Sequence, residues 1–412
     1  MEINLLDPAL FSGGQPYDVY RWLREHDPVH WHDDPKYGPG FWALTRHADI
    51  RAVESDSETF SSEPNTVLAT DTVMGDETHR HLIFSDPPHH TAHRKFLSPE
   101  LGLPRVRRSH EQMTQLIDDI IDAVIERGEC DLVSDISGRL ASFVIADLLG
   151  LDREEALELF WAVEILTRAN SRTEGPGARA LQVFAEHSAQ AWKKFSAADG
   201  DDTLTRIAHG EIGGVPVDEQ QFAMDFHLLV NAGSDTSRNA VSTGVIALLQ
   251  HPRQHRMLLD DPGLVPGAVE EILRWDPPII YQRRTATRDT TIAGTPIAEG
   301  DKVVSFYGAG NRDPEVFEQP ETFDITRNTN PHLTFGTGRH FCLGAHLARQ
   351  ELVLMFTALL ARMPDLRLAG QPSWHELDEL PAVNGPARVP VEFTPGARTQ
   401  QLQGEQANAI DG

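Results

Sequence analysis

The sequence predicts a mainly α-helical fold with a small β-rich part. Three observations carry that prediction. Apolar residues recur at helical spacing through most of the chain, β-branched and aromatic runs are short and confined to a few places, and an interior cysteine introduces a long apolar helical run. Taken in order, Tyr17–His26 is the first helix, with Val19, Tyr20, Trp22 and Leu23 at near-helical spacing. Val29-His30-Trp31 and Phe41-Trp42-Ala43-Leu44 are short strands around a Pro/Gly turn, and residues 46–55 form a short helix. Residues 62–85 show no clean period and are expected as a long loop, of the kind that often serves function in compact domains. Helical patterns return at 113–127, 139–149, 153–170, 178–198 and 220–250, and a last one runs over 343–363. Strands are expected at Thr291-Ile292-Ala293, at Lys302-Val303-Val304-Ser305 and over 389–393.

Composition excludes several function classes. The formal net charge of −26 opposes nucleic acid or an anionic membrane as partner. No apolar run approaches the ~20 residues that span a bilayer, and Met1-Glu2-Ile3-Asn4 lacks the basic start and apolar core of a signal segment. Two cysteines give no disulfide framework, so a reducing, cytoplasmic compartment is expected. At 412 residues, length alone suggests two or three domains, yet no Gly/Ser linker, low-complexity tract or internal repeat marks a boundary. The polar, Gln-rich stretch 399–412 is expected as a disordered tail.

The most informative stretch is Phe335-Gly336-Thr337-Gly338-Arg339-His340-Phe341-Cys342-Leu343-Gly344. Glycines let the backbone turn tightly and aim amide N–H groups at sulfur. The start of the following helix adds its positive dipole end, which favours an ionised thiol. With no second cysteine or histidine at zinc-like spacing, the pattern points to one axial thiolate on a haem iron. Cys130, in Glu129-Cys130-Asp131-Leu132, reads as an ordinary structural cysteine.

A second anomaly lies inside the longest helical pattern, at Asn231-Ala232-Gly233-Ser234-Asp235-Thr236-Ser237. Glycine in a helix interior costs about 1 kcal/mol relative to alanine, and Ser, Asp and Thr are mediocre helix formers. Such local rule-breaking marks functional sites. Gly233 would let a flat cofactor come close, the Thr236 hydroxyl can bond the Ala232 carbonyl and open a small groove, and Asp235 adds a proton donor.

The cysteine stretch resembles the ligand loop of cytochrome P-450 haem-thiolate monooxygenases, and the 231–237 stretch resembles the acid–alcohol pair of the same family. The resemblance runs from about residue 15 to about residue 395. It implies a single-domain cytochrome P-450 fold over 1–398, with haem b between the long oxygen-activation helix and the helix after Cys342. By this resemblance Cys342 is the metal ligand, Thr236 holds activated dioxygen and a water, and Asp235 relays protons inward. His90, Arg94, Arg284 and His340 match positions that hold the haem propionates, and Phe335, Gly233 and Gly344 complete the cofactor-binding set. His89 and His93 read as surface residues, since no carboxylate or cysteine nearby completes a metal site.

Glu271-Ile272-Leu273-Arg274 is similar to the family's E-x-x-R helix, which props the cysteine loop. Thr322 stands where relatives often carry a third, arginine member, and Arg327 is a candidate substitute. Substrate contacts are expected from residues 67–74, Phe222, Phe226, Val230, Ile279, Ile280, Tyr281, Val383 and Asn384. Their apolar character implies a non-ionic hydrophobic substrate, and the runs Ser237-Arg238-Asn239-Ala240-Val241-Ser242 and Asn330-Pro331-His332-Leu333 resemble bacterial members acting on terpenoids, steroids and long-chain lipids. No dinucleotide fingerprint, flavin module or iron–sulfur cysteine cluster is present, so a ferredoxin or flavodoxin with its reductase must supply electrons. Lys95, Arg107, Arg108, Arg339 and Arg349 are candidates for its docking patch. The absence of a membrane anchor is similar to the bacterial type. Two alternatives stay open on sequence: a peroxide-driven peroxygenase of the same fold, which the intact Asp235–Thr236 pair opposes, and a haem-binding sensor without turnover.

Overall fold

The computed structural model describes residues 3–69, 79–168, 174–377 and 379–399. Fourteen helices are assigned among them. The first half holds α1 (Tyr17–His26), α2 (His47–Ser55), α3 (His89–Leu101), α4 (Leu103–Arg108), α5 (His110–Asp122), α6 (Gly138–Leu149), α7 (Arg153–Arg168), α8 (Gly175–Phe195) and α9 (Thr203–Ala208). The second half holds α10 (Glu219–Gln250), α11 (Pro252–Asp260), α12 (Val265–Trp275), α13 (Tyr307–Gly310) and α14 (Ala345–Arg362). The 113–127 pattern becomes α5 with an earlier end. After Asp122 the chain turns through Gly128, at φ 74°, to enter the strand Glu129–Asp131. Parts of the expected loop, of the 153–170 pattern and of the tail, at 70–78, 169–170 and 400–412, lie outside the described residues.

The β-rich part is a five-stranded sheet in the order Val29–Asp33, Gly40–Leu44, Lys302–Phe306, Tyr281–Ala286, Phe60–Ser61. Only the Gly40–Leu44 and Lys302–Phe306 pair runs parallel. The strand Tyr281–Ala286 escaped the sequence pattern because it carries Arg283 and Arg284 on a buried sheet, where polarity normally argues against a central strand. The hairpin Thr290–Ile292 to Thr295–Ile297 turns at Ala293 and Gly294, both at positive φ, as a two-residue turn between twisted strands requires.

α10 runs through the centre of the helical core. Asp218 caps its start, accepting from Gln221 N at 3.0 Å. Two close approaches seat it: a Cβ on Gly233 would meet Ile145 Cδ1 at 2.3 Å on α6, and one on Gly244 would meet Phe356 Cζ at 2.6 Å on α14. Phe222 and Phe226, expected at the substrate, are instead fully enclosed core residues, Phe222 lying against Trp192 of α8 at 5.4 Å between ring centroids.

Behind the cysteine loop, Glu271 and Arg274 are both fully buried and joined by two bonds, Nη2 to Oε1 at 2.7 Å and Nε to Oε2 at 2.8 Å. Arg274 Nη1 also donates to the Asn311 and Pro320 carbonyls at 2.9 Å. Arg327 Nε reaches Glu271 Oε2 at 3.2 Å, so it supplies the third member of this cluster while Thr322 offers only its carbonyl oxygen. The i, i+3 spacing that usually gives an exposed pair here makes an internal brace.

His93 is the clearest correction. It is fully buried, with Nε2 2.7 Å from Asp225 Oδ1 on α10, and Gln221 Nε2 donates to the same oxygen at 3.2 Å. The carboxylate missing from its neighbourhood in sequence comes from 132 residues away. His89 is half-buried beside it, ring to ring at 5.7 Å. No helix among the described residues is long and apolar enough to cross a membrane.

Candidate functional site

The cysteine loop is shaped by its glycines and held by α2. Gly336 and Gly338 take φ 66° and 67°, and a Cβ on Gly338 would lie 2.4 Å from the Glu54 carbonyl oxygen. The buried Glu54 carboxylate accepts from Tyr307 Oη at 2.7 Å and from the Thr337 amide at 3.3 Å. Burial raises Glu54, and Arg284 nearby pulls it back down. Cys342 N donates to the Phe335 carbonyl at 2.8 Å, which closes the loop. Burial also raises the Cys342 thiol, while the Gly344 N–H, Arg94 and Arg349 act to lower it. The amide that sequence reasoning aimed at sulfur is thus Gly344, the residue capping α14. Cys130, on the strand Glu129–Asp131, is pushed up to about 12 by burial and stays an inert thiol.

Four groups that can carry positive charge meet beside this loop. The rings of His90 and His340 stand 4.1 Å apart, centroid to centroid. Burial first, then Arg94, pushes His90 down to about 4; burial, then Arg284, His90 and Arg94, push His340 down to about 2. Among the described residues no carboxylate forms an ion pair with any of the four, and the buried His90 Nε2 has no hydrogen-bond partner. His340 Nε2 lies 3.0 Å from Ser62 Oγ. Two anionic groups would relieve this arrangement, and a haem carries two propionates.

On the other side, α10 is buried from Ser237 to Val245, yet Ala232 is exposed and Gly233 and Thr236 are half-buried in the middle of the molecule. These three share one helical face. Phe335, Cys342, Leu343 and Gly344 are likewise only half-buried. Interior residues left accessible from two facing elements fit a large flat group between them. Phe335 is backed by the Arg349 guanidinium at 4.4 Å from its ring centroid. The chain's own residues therefore fit a haem: a thiol on one side, an accessible helix face on the other, and a cluster of two arginines and two neutral imidazoles at the edge.

The Thr236 hydroxyl donates to the Ala232 carbonyl at 2.8 Å as expected, and α10 continues unbroken around it. Gly233 has a different physical reason from the one the sequence suggested, since the space its missing side chain leaves is taken by Ile145. Asp235 is buried with Oδ1 3.3 Å from Arg238 Nη2, rather than standing beside Thr236 as a lone acid. Arg349, counted in the basic patch, is engaged by Glu270 at 2.7 and 2.9 Å. Four functional-site neighbours were not foreseen: Glu54, Tyr307, Arg238 and Glu351. Glu351 lies buried on α14 facing Ser237, and burial pushes it up to about 7. Only its place on the buried side of an apolar helix could have signalled it.

Comparison with known proteins supplies the family. A family model described as Cytochrome P450 matches residues 263–364, which span the E-x-x-R helix and the cysteine loop. A steroid C26-monooxygenase of Mycolicibacterium smegmatis is 33% identical over 409 residues, covering 96% of this chain and 97% of that protein. A linalool 8-monooxygenase of Pseudomonas putida is 32% identical over 385 residues, 89% of this chain and 94% of that one. Among solved structures, the Mycobacterium marinum cytochrome P450 CYP268A2 in complex with pseudoionone superimposes with a TM-score of 0.85, at 32% identity and covering 92% and 94% of the two chains. Identity at this level over nearly the whole length, on the same fold, means that this chain belongs to the cytochrome P450 family and is a haem b monooxygenase acting on a hydrophobic molecule.

Proposed function

We propose that Cys342 would supply the thiolate that holds the haem iron and that His90, Arg94, Arg284 and His340 would hold the two propionates. Phe335, Gly344 and the backbone of Gly233 complete the cofactor's surroundings. The haem, when bound, supplies reductive activation of dioxygen and transfer of one oxygen atom to substrate. The residues do the rest. The Gly344 N–H and the Arg94 and Arg349 charges favour the anionic sulfur. The Thr236 hydroxyl, already oriented by Ala232, holds dioxygen and a water, and Asp235 moves protons toward that hydroxyl. The catalytic unit is residues 1–398.

The substrate we propose is a neutral terpenoid, steroid or lipid-like molecule. Support comes from the relatives named for monooxygenation of a steroid and of linalool, and from the pseudoionone bound by the structural neighbour. Val67, Ile279 and Val383 are half-buried apolar residues near the expected positions, and Ile279 pairs with Val383 across an isolated bridge. Electrons come from a ferredoxin or flavodoxin with its reductase, which docks on the exposed Lys95, Arg107, Arg108 and Arg339 around the exposed Phe341 and Leu103. α4 carries two of these arginines and is tied to α14 by Gln350 Nε2 donating to the Val106 carbonyl at 2.9 Å. Two unpaired cysteines agree with a cytoplasmic setting.

The single observation that carries the reading is the closed loop around Cys342 beside the cluster of His90, Arg94, Arg284 and His340. Its test is spectroscopic. Reduced under carbon monoxide, the haem-loaded protein should give the red-displaced absorption of thiolate ligation, and Cys342→Ser should lose that band together with product formation. A folded, haem-loaded wild type without the band, or a serine variant that keeps it, would show the assignment to be wrong.

A further inference from the structure

Asp235 shares a buried cation with a second carboxylate that no part of the reaction described above uses. Arg238 stands three residues after Asp235 on α10 and has no solvent exposure; its Nη2 lies 3.3 Å from Asp235 Oδ1. Its Nη1 donates to Glu164 Oε2 at 2.7 Å, across the interface with α7. Arg238 Nε donates to Asn239 Oδ1 at 3.2 Å, and the guanidinium lies 5.6 Å from the ring centroid of Phe160, one turn before Glu164. On its outer side Glu164 Oε1 is 3.9 Å from His375 Nε2. The Glu164 and His375 side chains keep 19% and 16% of their exposure, so this end meets solvent while the Asp235–Arg238 end does not.

The hydrogen bond goes to Glu164, and Asp235 has the longer contact. The charges explain why that division matters. A carboxyl that relays protons must spend part of each turnover protonated, giving its proton inward and taking another from the water side. With both carboxylates ionised, the three groups together carry one negative charge, so protonating Asp235 brings them to neutrality. Without the Glu164 charge, Asp235 and Arg238 are a neutral buried pair, and protonating Asp235 would leave a bare guanidinium in an interior of low dielectric, which is strongly disfavoured. The full pull of Arg238 would also fall on Asp235 and draw it into a two-point pair, away from Thr236.

We propose that Glu164 is a positioning residue for proton delivery: from α7 it occupies Arg238, and thereby leaves the Asp235 carboxyl able to take up a proton and turn toward Thr236. This rests on the reading of Asp235 and Thr236 given above, and it adds a requirement for α7 that the acid–alcohol pair alone does not contain.

The test compares Glu164→Gln, Asp235→Asn and the double variant in the haem-loaded enzyme, with any surrogate reductase and a substrate found by binding. In Glu164→Gln, product formed per electron pair should fall by about tenfold, less than the loss of a proton-transfer group itself commands, and the solvent deuterium isotope effect on turnover should rise. Glu164→Asp, which keeps the charge, should retain most of the coupling; Glu164→Ala repeats the charge removal with a different side chain. A crystal structure of Glu164→Gln gives a readout independent of turnover: both Asp235 oxygens should sit on Arg238 within hydrogen-bond distance. The double variant should be no worse than Asp235→Asn. If Asp235→Asn itself leaves coupling and isotope effect unchanged, the underlying assignment of Asp235 fails. If Asp235→Asn slows delivery while both charge-removing variants at Glu164 behave as wild type, or if the two losses simply add, the proposal for Glu164 is overturned and the assignment of Asp235 stands.

Discussion

Glu351 shows how one buried group can set a pH response. Its carboxyl is enclosed between α14 and α10, its Oε2 has no hydrogen-bond partner, and the Ser237 hydroxyl only partly offsets the burial that lifts it from 4.5 to about 7. A carboxyl raised on folding means that the native state binds a proton the unfolded chain has already released. The group's contribution is therefore fully present below about 4.5, and is lost as pH rises through about 7. The size of the loss follows from the shift, about 3 kcal/mol to order of magnitude. Glu351→Gln removes the ionisable group, so the fall in Tm between about pH 5 and about pH 8 should be shallower in the variant. Parallel Tm curves for the two proteins would refute it. Glu351 was not legible in the sequence, and neither were Glu54, Arg238 or Asp225, for a common reason. Each acquires its role from a partner on another segment, as Glu54 does from Tyr307, 253 residues away. Cys342, by contrast, gets its loop closure from Phe335 and its amide from Gly344, within ten residues of chain, and could be read directly. His93 was misread because the spacing of His89, His90 and His93 says nothing about Asp225.

Among the elements, the crossing of α10 with α6 and α14 decides how the site is held. Glycines at 233 and 244 let Ile145 and Phe356 reach the backbone of α10, and nothing in the local pattern distinguishes a glycine facing a neighbouring helix from one facing a cofactor. Gly233→Ala should therefore act through α6. The added Cβ would overlap Ile145 Cδ1, an end that can shift at some cost, and overpacking of this kind costs about 1–3 kcal/mol. Ile145→Ala in the same chain removes the clash, so the double variant should be more stable than the sum of the two single losses predicts. Additive losses in thermal unfolding would mean that Gly233 answers to something other than α6. Helices were legible where they are strongly amphipathic, as α1 is, or long, as α10 is. Short ones such as α4 and α9, and the arginine-bearing strand Tyr281–Ala286, were not, because they are stabilised by neighbours rather than by their own periodicity. Arg327 could be offered only as a candidate for the Glu271 cluster; the turn through Asp324, whose amide donates to Glu271 Oε1 at 2.8 Å, is what brings it there.

Across the whole molecule, the net charge of −26 opposes the basic docking face proposed above, and their different ranges make the opposition measurable. An acidic electron donor, the kind a basic face would attract, is repelled at a distance by the overall charge and attracted at contact by Lys95, Arg107, Arg108 and Arg339. Salt weakens the long-range term first, because the screening length falls from about 30 Å at 0.01 M to about 8 Å at 0.15 M. Adding salt from a low level should first speed reduction by suppressing the global repulsion. Further salt should slow it, once screening reaches the few ångströms over which the basic face acts. The rate of first-electron transfer from a ferredoxin, followed by stopped flow, should thus pass through a maximum with ionic strength. Charge reversal at both Arg107 and Arg108 takes the net charge from −26 to −30, which strengthens the global term slightly and cancels most of the local one. That variant should be reduced about tenfold more slowly near the wild-type maximum and should lose the rising-then-falling profile, its rate climbing steadily with salt. Its haem absorption under carbon monoxide should match wild type, because neither arginine belongs to the cofactor's surroundings. A wild-type profile that falls from the lowest salt onward, or a variant that keeps the maximum, would place the docking surface elsewhere on the molecule.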